Sequence, residues 1–192
     1  MIKSKDRSSY IGASDTKYVM MNWNTKTFIK WWLVKLGLEK NDFQNKYTLA
    51  GTNYEHKIID ALNIKGIEKD KQIIVLDRLR VNLDANTNSE IHEIKTYNWE
   101  NGFDIDRHVD YQQQVQVQMY ASGIHKAYID AYGLLDGEYR NFFEEIDKDR
   151  LRSYEIKYDA DWINSKYLPR VNILIKCLKE LRFPNKDEIK SL

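Results

Sequence analysis

Apolar and polar positions change period several times along the chain, and the changes divide it into elements. Ser14 opens a first short helix, and "TKTFIKWWLVKLG" repeats its apolar residues at helical spacing from about Thr25 until Gly37 stops it. A third helix is expected over roughly 47–63. The period then shortens to two, so "KQIIVL", "RLRVNLDA" and "SEIHEIKTY" read as successive strands. "HVDYQQQVQVQMYASG" returns to helix and ends at Gly123. "KAYIDAYGLL", "EYRNFFEEI" and "RSYEIKYD" read as further strands. "DADWINSKYLPRVNILIKCLKEL" reads as a long closing helix, interrupted or started late by Pro169. Helices, strands, a helix, strands and a helix make an α/β sandwich around a central sheet, one domain over residues 1–192.

Composition narrows the setting. Hydrophobic residues make up 42% and charged residues 31%, the balance of a globular rather than a disordered chain. Cys177 is the single cysteine, so one chain can build neither a disulfide framework nor a cysteine-ligated zinc or iron–sulfur site, as suits a reducing cytoplasm. "FIKWWLVKLGL" is broken by Lys30 and Lys35 and cannot span a bilayer; "MIKSKDRSSY" lacks the apolar stretch of a secretion signal. A net charge of +1 argues against a protein that coats polyanions generally. Residues 1–35 nevertheless carry seven basic side chains against Asp6 and Asp15, a local net +5.

Four places carry candidate chemistry. In "LDANTNSEIHEIK", a hairpin turning at Asn88-Ser89 pairs Thr87 with Glu90 and sets Asp84 opposite Glu93, with Lys95 on the same face opposite Asn82. Directly opposed carboxylates destabilise a strand pair unless a positive charge lies between them, and a hard divalent cation is the natural one. A solvated hairpin end fits the same residues equally well. In "GTNYEHKIIDAL", Glu55 precedes Ile58, Ile59 and Leu62 on the apolar stripe, with Gly51 one turn earlier giving room for close approach. It calls for a cation or strong donors, unless it lies at the rim paired with Lys57 or another lysine. In "YQQQVQVQMY", Gln114 and Gln118 share a ridge with Tyr111 and can orient water or touch phosphate, or simply form a wet face. In "RSSYIGASDTKY", Ser14 as an N-cap with Arg7 beside it offers an anion site, although a plain cap and a loose terminus are the commoner arrangement. Phe28, Trp31 and Trp32 read as core rather than a base-stacking platform, and His56, His92, His108 and His125 as structural.

These four elements, in this order, resemble the YqaJ-type viral recombinases, the group of phage lambda exonuclease within the PD-(D/E)XK superfamily. The resemblance implies a restriction-endonuclease-like sandwich with a central mixed sheet. It also implies a magnesium- or manganese-dependent 5′→3′ exonuclease acting on double-stranded DNA ends during recombination by single-strand annealing. By it, Asp84, Glu93 and Glu55 hold the metal, Lys95 and Gln114 complete the catalytic set, and Arg7 and Ser14 receive a 5′ phosphate. A single-strand annealing protein is the implied partner, a ring-shaped homo-oligomer such as a trimer the implied assembly, and a phage- or prophage-encoded cytoplasmic protein the implied setting. Two departures stand out: Leu83 replaces the proline before the aspartate, and Glu90 competes with Glu93 as the second acid. An endonuclease of the same superfamily, a resolvase or restriction-type cutter, and a catalytically silent DNA-end-binding protein remain alternatives on this fold.

Overall fold

The computed structural model describes residues 9–40 and 45–191. Six strands form one mixed sheet: β1 (Ile11–Gly12), β2 (Glu68–Val75), β3 (Leu79–Asn86), β4 (Ile91–Asn98), β5 (Lys126–Leu134) and β6 (Leu151–Lys157). Their order is β1-β3-β4-β5-β6, with β2 also paired to β3. β4 and β5 run parallel, and the long crossover that such a pair requires contains the glutamine helix. The helices are α1 (Thr16–Met20), α2 (Lys26–Lys35), α3 (Lys46–Leu62), α4 (Val109–Ser122), α5 (Ala160–Trp162), α6 (Leu168–Lys179) and α7 (Lys186–Lys190).

The ends of these helices follow from local chemistry. Thr25 caps α2 by accepting the Phe28 N–H, and Asn45 caps α3 by accepting that of Thr48. Gly123 closes α4 in the left-handed conformation, at φ +72°. Two apolar clusters hold the layers together. The larger joins Phe28, Trp31 and Trp32 of α2, Val115, Val117 and Met119 of α4, Leu174 and Leu178 of α6, and Leu79 and Val81 of β3. The smaller packs Ala50, Tyr54, Ile58 and Ile59 of α3 against Ala85, Ile94, Tyr132 and Leu134. The α2 aromatics are therefore core and unavailable for stacking on bases.

Two elements differ from the reading of the sequence, and a third is made specific by the structure. "EYRNFFEEI" is not a strand. Glu138 is buried with Arg150 (Nη2 to Oε1, 3.1 Å), and its carboxylate accepts the Leu135 N–H at 2.7 Å, which winds Asp136–Tyr139 into a 3-10 turn. The closing helix is interrupted near Pro169 as expected, by a π turn, Ile163–Tyr167, just before the proline, whose ring nitrogen cannot donate to the helical ladder. Two-residue β1 lies beyond the reach of periodicity because it has no room for an alternation.

Candidate active site

Strand β3 has one edge paired with β2, from Leu79↔Val75 to Asn86↔Glu68 and interrupted at Asp84. Its other edge is shared. Leu79 and Arg80 pair with β1, Ala85 and Asn86 pair with β4, and residues 81–84 between them have no ladder partner there. The hairpin register is the one expected, with Ala85↔His92, Asn86↔Ile91 and the Thr87 N–H donated to the Glu90 carbonyl at 2.8 Å. Beyond Ala85↔His92 the strands diverge, so Asp84 and Glu93 are not a ladder pair. Instead the Ile94 N–H is donated to Asp84 Oδ2 at 2.9 Å. A cleft of about 280 Å³ opens in the gap, lined by Gly12, Ala13 and Ser14 on one side, by Arg80, Asn82 and Asp84 of β3, and by Glu93 and Lys95 of β4, with Glu55 of α3 and Gln114 of α4.

Glu93 is held on both oxygens. Lys95 Nζ and Gln114 Nε2 each donate to Oε1 at 2.5 Å, and Gln118 Nε2 donates to Oε2 at 2.5 Å. Lys95 also donates to Gln114 Oε1 at 3.2 Å and lies over the Tyr111 ring at 4.8 Å. Burial alone would push the Lys95 ammonium down, but the Glu93 and Asp84 carboxylates outweigh it and raise it above its ordinary value, so it stays charged. The Asp84 carboxyl is pushed well above the usual range, first by burial and then by the carboxylates of Glu93 and Glu55. Glu55 is raised as well, by burial and then by Asp70 and Glu93. It does not pair with Lys57, whose ammonium is donated to the Phe142 and Glu144 carbonyls at 2.5 and 3.1 Å. Gly51 matters one turn earlier, where an added Cβ would lie 3.4 Å from Thr96 Oγ1 of β4.

The donor set suits a hard divalent cation: three carboxylates around one cleft, two of them made harder to ionise by burial and then by neighbouring carboxylates, and Asp84 Oδ1 accepting no hydrogen bond among the described residues. Asp70, at φ +58°, is skipped in the β2 register between Lys69↔Ala85 and Lys71↔Leu83, and the ligand atoms of Glu55, His56 and Asp70 lie within 4.8 Å of one another. His56 pairs with Asp70 at 2.9 Å and is not among the residues lining the cleft, and His92 is engaged by Asp130 Oδ2 at 2.7 Å. Glu90 does not compete with Glu93, because it pairs with Lys126 at 3.1 Å and lies outside the cleft. Ser14 lines the cleft but is not a helix cap. It sits inside the 3-10 turn Ala13–Asp15, and Asp15 precedes α1 with its carboxylate taken by the Gly12 N–H (2.8 Å), Trp31 Nε1 (3.0 Å) and Lys35 (2.6 Å). Arg7 lies outside the described residues.

No protein-family model matches the sequence, and neither does any curated protein. Solved structures do match its shape. The alkaline exonuclease from Laribacter hongkongensis superposes with a TM-score of 0.67 at 16% identity, over 96% of this chain and 92% of that one. Its complex with dAMP gives 0.68 at 18% identity, again over 96% and 92%. A phage-related exonuclease from Haemophilus somnus gives 0.65 at 18%, over 90% of this chain and 94% of that one. The chain has the alkaline-exonuclease fold. Within that fold, Asp84, Glu93, Lys95, Glu55, Gln114 and Ser14, far apart in sequence, all reach one cleft.

The alkaline-exonuclease fold also places Arg80 and Asn82, which motif reading left out, and Gln118, which it named only beside Gln114. Arg80 and Asn82 line the cleft from β3, which alternation could have flagged because they fall four and two residues before Asp84. Gln118 is wholly buried, and besides Glu93 it reaches the Asn82 carbonyl at 3.2 Å. Its position one helical turn beyond Gln114 is what named it in the sequence.

Proposed function

We propose that this chain is a metal-dependent deoxyribonuclease that degrades double-stranded DNA from its ends in the 5′→3′ direction, serving phage-type recombination with a single-strand annealing protein. The observation that carries the reading is the convergence of Asp84, Glu93, Glu55 and Lys95, from α3, β3 and β4, on one cleft. Asp84, Glu93 and Glu55 would hold Mg²⁺ or Mn²⁺, which when bound supplies Lewis acidity and makes water a nucleophile near neutral pH. Lys95, kept cationic by its carboxylate neighbours, stabilises the charge that grows on the attacked phosphate and its entering oxygen. Its compact ammonium fits between Glu93 and Gln114, where a planar guanidinium would not. Gln114 ties that ammonium to Glu93 and can orient water with the remainder of its amide. Ser14 offers a hydroxyl on the opposite wall, and Arg7 a bidentate fork, for the 5′ phosphate of a duplex end. That the Laribacter enzyme, of the same fold, binds dAMP is in keeping with a deoxynucleotide substrate.

The deciding assay uses three substrates, linear duplex with a 5′ phosphate, linear duplex with a 5′ hydroxyl, and closed circular DNA, each with Mg²⁺ or EDTA. Magnesium-dependent loss of the phosphorylated linear substrate, slower loss of the hydroxyl one and an intact circle are expected. Cutting of the circle would transfer the site to endonuclease chemistry. Binding of ends without any cleavage would leave a silent end-binding protein.

A further inference from the structure

Gln118 occupies a position that hydrophobic packing does not explain. It is fully buried on α4, in a helix segment whose neighbours Val115, Val117 and Met119 belong to the main core. Its amide nitrogen points into the gap between β3 and β4 and bridges it, donating to Glu93 Oε2 at 2.5 Å and to the Asn82 carbonyl at 3.2 Å. That carbonyl belongs to the stretch of β3 left without a ladder partner on this edge, so the amide stands in for one of the missing interstrand bonds. Its amide oxygen is the reverse case. It is buried without a hydrogen-bond partner among the described residues, an arrangement that folding alone disfavours. Turning the amide over would face that oxygen to the Glu93 carboxylate, so one atom is left unsatisfied to keep the donor on the acid.

We propose that Gln118 is a positioning residue that fixes the Glu93 carboxylate against Asp84 and thereby makes the cleft selective for the small, geometrically demanding Mg²⁺ over Ca²⁺. This rests on the reading of Asp84 and Glu93 as cation ligands. Lys95 and Gln114 both approach Oε1, so Gln118 is the one described side chain that restrains Oε2 and with it the rotation of the carboxylate plane. Magnesium requires near-ideal octahedral geometry at about 2.0–2.1 Å, whereas calcium accepts six to eight oxygens at about 2.3–2.6 Å in looser arrangements. A freed Glu93 therefore penalises Mg²⁺ more.

The test is calorimetric titration of the full chain with Mg²⁺ or Ca²⁺ alone, for the wild type, Gln118→Met, which keeps the volume and loses the donor, and Gln118→Asn, which keeps the amide but withdraws it by a methylene. Both variants should bind Mg²⁺ about 10- to 100-fold more weakly, the range seen when partners of metal ligands are removed. Their Ca²⁺ affinity should change by clearly less, with circular dichroism unchanged. Unchanged Mg²⁺ affinity, or equal losses for both ions, overturns the proposal. If neither variant folds, the wild type carries the test: the Gln118 side-chain amide resonance must shift with Mg²⁺ and saturate at the calorimetric midpoint, and a resonance that stays put overturns it. A wild type that binds neither ion instead removes the reading of the carboxylates on which this rests.

Discussion

Replacing Asp84 by Asn separates what the cleft costs from what it does. Asn keeps the shape and an oxygen for the Ile94 N–H, and removes one charge from a group in which burial, Glu93 and Glu55 already push the Asp84 carboxyl up. Two carboxylates about 5 Å apart, the spacing of opposed cross-strand residues, repel by about 3 kcal/mol at an effective dielectric constant of 20. The divergence of the strands and the Lys95 ammonium, 2.5 Å from Glu93, reduce this, leaving a net relief of about 1–2 kcal/mol, or about 2–8 °C in Tm for a chain of this size. In EDTA, Asp84→Asn should therefore melt above the wild type while losing cleavage. The sign with pH follows from the raised carboxyl: the folded wild type binds more protons than the unfolded chain above the ordinary carboxylate range, so its metal-free stability falls as pH rises through that window. The variant lacks that fall, and its advantage should widen with pH. Saturating Mg²⁺ at 100 times its Kd adds about 2.7 kcal/mol to the wild type and little to the variant, which should reverse the order. Thermal melts in EDTA and in Mg²⁺, at several pH values, read all of this. A variant that melts below the wild type in EDTA, or gains as much from Mg²⁺, would refute the repulsion argument.

Lys95→Ala should lower kcat on linear duplex by about 100- to 1000-fold with little change in DNA affinity, because its charge matters most where negative charge develops; steady-state kinetics with a binding assay separate the two. Glu138→Ala should cost about 3–5 kcal/mol by leaving Arg150 buried without its partner, measured by denaturant titration. Burial raises the Glu138 carboxyl, but the Arg150 pair outweighs it and lowers it below the ordinary value, so the wild type loses this contribution as pH falls through the lowered range, a loss that Glu138→Gln should flatten. Gly133→Ala should destabilise by about 1–3 kcal/mol, since its Cβ would run into the Trp99 ring, and Trp99→Ala in the same chain should recover some of that loss.

Much of this architecture was legible because period and capping agree. The strands around 79–86 and 91–98, the hairpin register and the α3 glutamate all follow from alternation and helical spacing, and each lies where those rules put it. What escaped depends on contacts between distant segments. "EYRNFFEEI" alternates like a strand, yet the Glu138–Arg150 pair folds it into turns. Ser14 has the composition of a cap, but Asp15 next to it is claimed by Gly12, Trp31 and Lys35 and takes the position before the helix. Glu90 and Glu93 are indistinguishable in an acidic strand until Lys126, 36 residues away, engages the first. Gln118 was visible only as a ridge-mate of Gln114, because nothing in a single helix shows that β3 lacks a bond it can supply.

The shared edge of β3 has a consequence for how the site comes into being. Strands β2, β3 and β4 are neighbours in sequence and can zip together as two local turns, which brings Asp84 beside Glu93 early. The opposite wall comes from Ile11–Gly12, which must close a chain of about 68 residues to reach Leu79 and Arg80. The cleft is thus built from two distant segments of the sequence, one joined by local turns and one by a long loop. A molecule that has collapsed but not yet docked its N-terminal strand possesses the acids without the wall that Ser14 supplies, a folded sheet whose chemistry is still unframed. Docking of Ile11–Gly12 on β3 therefore completes the sheet and the site in one contact.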